Sequence, residues 1–150
     1  MSTNPVFAKQ EKLLGTDVMV DQNGSFATRY VQGFHDLATI AGEANLNQAL
    51  INRLKAVAKG LGSKRGGSLP AHPDYGAGAY TLVSSPWNEA RQKLQTVIIT
   101  NFASEPRIKP LQSSDITFTW DPLTRTLTVE ISYTRIKAQV PQNLIFPIYL

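Results

Sequence analysis

Ile116-Thr117-Phe118-Thr119-Trp120-Asp121-Pro122-Leu123-Thr124-Arg125-Thr126-Leu127-Thr128-Val129-Glu130-Ile131-Ser132-Tyr133 is the stretch that decides the fold. Ile116, Phe118 and Trp120 alternate with threonines. Leu127, Val129, Ile131 and Tyr133 alternate with Thr128, Glu130 and Ser132. A strand sends successive side chains to opposite faces, so this period of two predicts two strands, each with one face on a core. Asp121 to Arg125 turns the chain between them. The tail that follows, Asn143-Leu144-Ile145-Phe146-Pro147-Ile148-Tyr149-Leu150, is apolar and holds a proline. Proline cannot donate to a central ladder, which predicts an edge strand, with Pro141 as the break before it.

Upstream the period changes to that of a helix. Ser85 suits the N-cap and Pro86 the first turn. Trp87, Ala90, Leu94, Val97, Ile98 and Phe102 fall on one stripe, while Glu89, Arg91, Lys93 and Gln95 can face water. The helix is expected to end at Ser104 or Glu105, because Pro106 lacks the N–H a helix needs and drives Glu105 toward extended geometry. Glu105-Pro106-Arg107 is therefore a stiff corner carrying two opposite charges. It reads either as a local ion pair closing a helix end or as a docking tooth for another protein.

The first half is less regular. Residues 1–15 read as an arm with Val6, Phe7, Leu13 and Leu14 as its sizeable apolar side chains. Thr16 to Val20 reads as a strand, Asp21-Gln22-Asn23-Gly24 as a turn, and Ser25 to Val31 as the returning strand. Phe34 to Ile40, which contains His35, fits neither period. A second helix is expected with Asn45 as its cap, Leu46, Leu50, Leu54 and Val57 on one face, and Lys59-Gly60 as its close. A basic loop follows, with Lys64 and Arg65 as candidate protein contacts. No acid lies between Glu43 and Asp74, whereas Arg53, Lys55, Lys59, Lys64 and Arg65 all do. In His72-Pro73-Asp74-Tyr75-Gly76-Ala77-Gly78, the glycines and proline predict a tight turn that tucks Tyr75 inward.

These elements give an α+β fold: a mainly antiparallel sheet with helices packed on one side and an open edge strand at the C-terminus. At 150 residues the expectation is one domain, residues 16–150, behind the arm. The net charge of +4 raises the odds of an acidic partner or nucleic acid. The basic stretch lacks interleaved aromatics for base stacking and the Gly-Lys-Ser/Thr ending of a phosphate loop, so a solvated or protein-binding face is the better reading. There is no cysteine, hence no thiolate metal site or cysteine nucleophile. No leader-like apolar stretch opens the sequence and no apolar run approaches the roughly 20 residues that span a bilayer.

Nor do the residues assemble a catalytic motif. Glu89 and Glu105 are sixteen positions apart on one helix, roughly 24 Å at 1.5 Å per residue. Glycosidase carboxylates sit about 5–9.5 Å apart. His72 and Asp74 lack a third ligand type close by, and His35 stands alone. The residues favour a protein that is not an enzyme, with no metal and no cofactor.

The order of parts from about residue 61 to 150 resembles a known family. His72 to Gly78, the Pro86–Phe102 helix, Glu105-Pro106-Arg107-Ile108 and the paired strands look like the baseplate wedge and sheath-initiator proteins of contractile-tailed phages, a family shared with type VI secretion baseplates. Asp21-Gln22-Asn23-Gly24, Asn45-Leu46-Asn47-Gln48-Ala49-Leu50 and Asn52-Arg53-Leu54 are similar to the leading segment of several such proteins. The resemblance implies assembly: a late structural protein of the virion tail baseplate, made in the host cytoplasm and present in several copies, six by family expectation. It implies Glu105, Pro106 and Arg107 as the contact with the wedge core. It implies Leu144, Ile145, Phe146, Ile148 and Tyr149 as the edge to which tail sheath strands add. Baseplate wedge proteins, the sheath protein and hub or tube proteins are the implied partners, with no nucleic acid or membrane. Some members of the family carry a lysozyme label, so a peptidoglycan-degrading enzyme is the alternative, and a basic nucleic-acid binder a further one.

Overall fold

The computed structural model describes residues 12–21, 25–57, 75–82 and 85–149. The expected α+β fold is present. The chain divides into two compact units, residues 1–50 and 51–150.

In the second unit the period-two stretch forms β5 (Ile116–Asp121) and β6 (Thr126–Tyr133), and the tail forms β7 (Gln142–Tyr149). They make a three-stranded antiparallel sheet in the order β5-β6-β7. Register runs Ile116 opposite Ile131 and Trp120 opposite Leu127 on one seam, Ile131 opposite Leu144 and Leu127 opposite Ile148 on the other. Ile116, Leu127, Val129, Ile131, Tyr133, Leu144, Phe146 and Ile148 are buried, so the alternation does lay one face on a core. The β5–β6 turn is built by Asp121. Its Oδ1 accepts from the Leu123 N–H at 2.9 Å and its Oδ2 from the Thr124 hydroxyl at 2.7 Å. The turn closes through Arg125 at φ 53°. Buried Tyr133 donates its hydroxyl to Gln142 Oε1 at 3.0 Å, which fastens the end of β6 to the start of β7.

The helix before the sheet spans Trp87–Ala103. Ala90, Leu94, Ile98 and Phe102, spaced by four, are its buried residues. Beside this helix, Trp87 stacks on Trp120 of β5 (centroids 6.4 Å apart, planes 5° off parallel) and the Arg91 guanidinium lies over Phe118. The cap differs from expectation by one place. Pro86 holds the N-cap position at φ −57°, ψ 137°, with no side-chain cap, and Ser85 lies outside the helix. Proline's locked φ suits an extended cap as readily as a first turn, and its free carbonyl still accepts from the Ala90 N–H at 3.0 Å.

In the first unit, β1 (Thr16–Val18) pairs with β4 (Thr39–Ala41), and β2 (Thr28–Val31) with β3 (Phe34–Leu37), all antiparallel. The expected pairing of Thr16–Val20 with Ser25–Val31 survives as one bridge, Val20 to Phe26. The reason lies in the backbone. Met19 N–H donates to Ala38 O, Ala38 N–H to Ala27 O, and Ala27 N–H to Met19 O, at 2.8–2.9 Å. This ring of three hydrogen bonds is a junction at which the third strand leaves β2 and takes up β1. The ambiguous Phe34–Ile40 stretch thus supplies the strands both neighbours use. Asn23 and Gly24 of the turn lie outside the described residues.

The other helix runs Gly42–Lys55 and is named α1; the Trp87–Ala103 helix is α2. Asn45 is not its cap. The helix starts three residues earlier, at Gly42, whose φ of 63° excludes most side chains. Asn45 instead lies in the first turn, buried, and donates its Nδ2–H to Leu14 O at 3.0 Å. Gln48, one turn on, holds the end of β1 at two points: its Oε1 accepts from the Val20 N–H at 2.8 Å and its Nε2–H donates to Val18 O at 2.9 Å. Leu46, Leu50 and Leu54 are fully buried, as their spacing predicts. Lys59-Gly60 and residues 1–11 of the arm lie outside the described residues.

Candidate functional site

The corner after α2 is built from four chain segments of the second unit. α2 ends with Ser104 as its C-cap, and Glu105, whose N–H donates to Phe102 O at 3.0 Å, leads into Pro106. Glu105 is one of two buried polar side chains among the described residues, only 5% exposed. A carboxylate in that position needs partners, and it has two arginines. Arg107 Nε donates to Oε1 at 2.6 Å and Arg107 Nη2 to Oε2 at 2.9 Å, a two-pronged guanidinium–carboxylate pair. The Arg107 backbone N–H adds a third contact to Oε1 at 3.2 Å. Arg53, near the end of α1, brings its Nη2 to 3.7 Å from Oε2. Burial alone pushes the Glu105 carboxyl up; hydrogen bonds from Arg107 and the charges of Arg107 and Arg53 outweigh it and hold the group below its usual range. The same pairing raises Arg107.

Arg53 is the hinge pin of the cluster. Its Nη1 donates to Asn101 O at 2.9 Å and to Ser104 Oγ at 2.6 Å, which satisfies carbonyl and hydroxyl groups at the α2 terminus. Its guanidinium lies 4.7 Å from the centroid of Tyr75. Tyr75 reaches that place because the following glycines let the chain press on the end of α1. Ala77 N–H donates to Arg53 O and Gly78 N–H to Ala56 O, at 2.8 and 2.7 Å. Gly76 sits at φ 121°, and a Cβ there would lie 2.3 Å from Ala56 O. The expected tight turn that tucks Tyr75 inward is this contact, and burial raises the Tyr75 hydroxyl's pKa. His72 and Asp74 lie outside the described residues, as do Lys64 and Arg65.

The corner continues into a short pairing: Ile108 bridges to Arg135, Lys109 N–H donates to Thr134 O and Ile136 N–H to Arg107 O. Ile108 is buried and anchors it. Arg107 is thus held by a salt bridge on one side and backbone hydrogen bonding on the other, while 27% of its side chain still meets solvent.

The second candidate surface is β7. It pairs with β6 on one side, and among the described residues no strand lies on the other. The five residues named for this surface divide by parity. Leu144, Phe146 and Ile148 point into the core; Ile145 and Tyr149 point out, at 61% and 65% exposed. Outward residues of β6 are Thr126, Thr128, Glu130 and Ser132, so the apolar outward side chains gather at the edge. Pro147, opposite Thr128, has no N–H to give. A proline is tolerated where that group would face away from the sheet, so the odd-numbered residues of β7 aim their backbone outward.

No group of three or more metal-ligating side chains occurs among the described residues, and no described helix is long and apolar enough to cross a membrane. Glu89 is exposed and pairs with Lys93 at 3.6 Å. The sequence offered no sign of Arg53 as a partner of Glu105, because the two are far apart in the chain and only the packing of α1 beside the α2 terminus joins them. Comparison with protein-family models, characterised proteins and solved structures finds no match to this chain.

Proposed function

We propose that this protein is a structural component of a contractile tail baseplate that links the wedge to the tail sheath and starts sheath assembly by strand addition. Two surfaces divide the work. The Glu105-Pro106-Arg107 corner docks on the wedge, and the outer edge of β7 receives a sheath strand. The observation that carries this reading is the β7 edge, which among the described residues has no strand on its outer side and has apolar Ile145 and Tyr149 on its outward face. An open edge presents unpaired N–H and C=O groups and is the template for strand addition. The resemblance to sheath initiators supports the same assignment. The salt bridge at the corner fits a docking role as well as a local one: Glu105 is buried and orients Arg107, whose partly exposed guanidinium faces a partner.

The test follows from the parity of β7. Deleting residues 143–150 would strip Leu144, Phe146 and Ile148 from the core, so truncation confounds folding with docking. Ile145→Pro removes one outward N–H and leaves the β6 seam intact. Baseplates carrying it are expected to assemble but to grow no sheath. Sheath of normal length on those baseplates would sink the assignment.

A further inference from the structure

The short ribbon that continues the corner has two faces. Ile108 bridges to Arg135, with Lys109 N–H donating to Thr134 O at 2.8 Å and Ile136 N–H to Arg107 O at 2.9 Å. That register sets Arg107 opposite Ile136 and Lys109 opposite Thr134. Opposed residues share a face and successive ones alternate. Ile108 is buried, so it and Arg135 take the inner face. Arg107, Lys109, Thr134 and Ile136 take the outer one, and Lys137 follows in the turn. Lys109 and Lys137 are exposed, and Ile136 is 50% exposed. Residues 107–109 and 134–140 hold four cations and no acid. Glu105, the acid of the corner, is buried and already paired with Arg107 and Arg53. Lys109 and Lys137 form no ion pair among the described residues. Lys137 also stands at φ 71°, where glycine would be less strained. The turn thus keeps a cation at a place its backbone does not favour.

We propose that this outer face binds an acidic protein segment that also carries an apolar side chain. Carboxylates of the partner meet Arg107, Lys109 and Lys137, and its apolar group covers Ile136. This inference rests on the reading of the corner as a docking surface and names the chemistry of what docks there. Charge complementarity carries it: an ion pair that only closes a helix end needs Glu105 and Arg107, not two further exposed lysines beside them. Glu105 fixes the Arg107 guanidinium before a partner arrives, so that side chain has little freedom left to lose on binding. Nucleic acid fits this face less well. Three residues of strand run about 10 Å, short for tracking a phosphate backbone. Residues 107–109 and 134–140 hold no aromatic ring on which a base could stack. The exposed Ile136 between the cations suits an apolar side chain and not a phosphate.

The probe is a fluorescein-labelled helical peptide with glutamates on one face and leucines beside them, titrated with the full chain by fluorescence anisotropy. A single-stranded oligothymidylate of equal charge is the comparison. The peptide is expected to bind, and to bind more weakly as salt shortens the reach of the charges. Lys109→Glu with Lys137→Glu is expected to weaken binding about tenfold or more, and Lys109→Arg with Lys137→Arg to keep it within about twofold. Lys137→Gly removes a cation and relieves the backbone. It should bind about threefold more weakly while its urea midpoint equals or exceeds that of the wild type. A structural role for Lys137 would not give that split. No peptide binding, equal binding by the charge-reversed variant, as deep a loss in the arginine variant, or tighter binding of the oligonucleotide overturns the proposal. Wedge incorporation separates it from the baseplate reading. Salt-sensitive peptide binding by a chain that enters no wedge supports this proposal and removes the baseplate assignment. A charge-reversed chain that enters wedges as the wild type does leaves that assignment standing and overturns this proposal.

Discussion

Replacing Glu105 with glutamine tests the corner most sharply. The amide has the carboxylate's shape but no charge. One oxygen remains to accept from Arg107 Nε, and the amide NH2 is turned against Arg107 Nη2, a donor facing a donor. One charge-assisted bond of 2.9 Å is lost and another, of 2.6 Å, becomes a neutral acceptor's. Hydrogen bonds to charged groups contribute about 1.5–3 kcal/mol and neutral ones about 0.5–1.5. The buried carboxylate's desolvation is relieved, and both arginines keep some access to water, at 27% and 13% side-chain exposure. The net loss is about 2 kcal/mol at pH 7. Both tryptophans, Trp87 and Trp120, lie in the 51–150 unit, so urea unfolding followed by their fluorescence reports on the right part of the chain. The pH dependence has a definite sign. Glu105's pKa is depressed on folding, so its stabilisation is full above the unfolded value of about 4.3 and is lost as pH falls through the folded value. The gap between wild type and Glu105→Gln should therefore be widest near neutrality and shrink in acid. Equal unfolding midpoints at pH 7, or a gap that stays constant into acid, would refute the assigned role of the arginine pair.

Other outcomes follow from the same geometry. Gly76→Ala places a Cβ against the Ala56 carbonyl in a backbone region that L-residues avoid, and is expected to cost about 3 kcal/mol or more by the same fluorescence assay. Leu94→Ala empties a fully packed site under the sheet and should lower stability by about 2–5 kcal/mol, whereas Leu123→Ala, at a turn 94% exposed, should change it little. Asn45→Ala leaves Leu14 O without the amide that holds it; faster hydrogen exchange in residues 12–20, at a cost of about 1–2 kcal/mol, is the expected reading. Arg107→Ala should fold and yet fail to enter the wedge; normal incorporation would reduce Arg107 to a helix-end ion pair.

The parts of this fold that were legible in the sequence are those written in side-chain period. The 116–133 alternation names both strands and their buried faces, and the four-residue spacing of Ala90, Leu94, Ile98 and Phe102 names the buried stripe of α2. Pro147 alone marks β7 as an edge. What escaped was written in the backbone or in distance along the chain. The junction at Met19, Ala27 and Ala38 uses only peptide groups, so no residue type announces that strands exchange partners there. Asn45 looked like a cap because asparagine caps helices well, but Gly42 starts the helix and frees Asn45 to hold Leu14. Glu105 and Arg107 are neighbours and their pairing could be read directly; Arg53 reaches them only through the fold.

The central claim is that β7 receives a strand from the sheath while the Glu105-Pro106-Arg107 corner sits on the wedge. Electron microscopy of the assembled particle measures this directly. The expected map places this chain between the wedge and the first sheath ring, with a foreign strand alongside β7 on the side away from β6. A map in which that edge of β7 meets solvent, or in which the chain lies elsewhere in the particle, would contradict it.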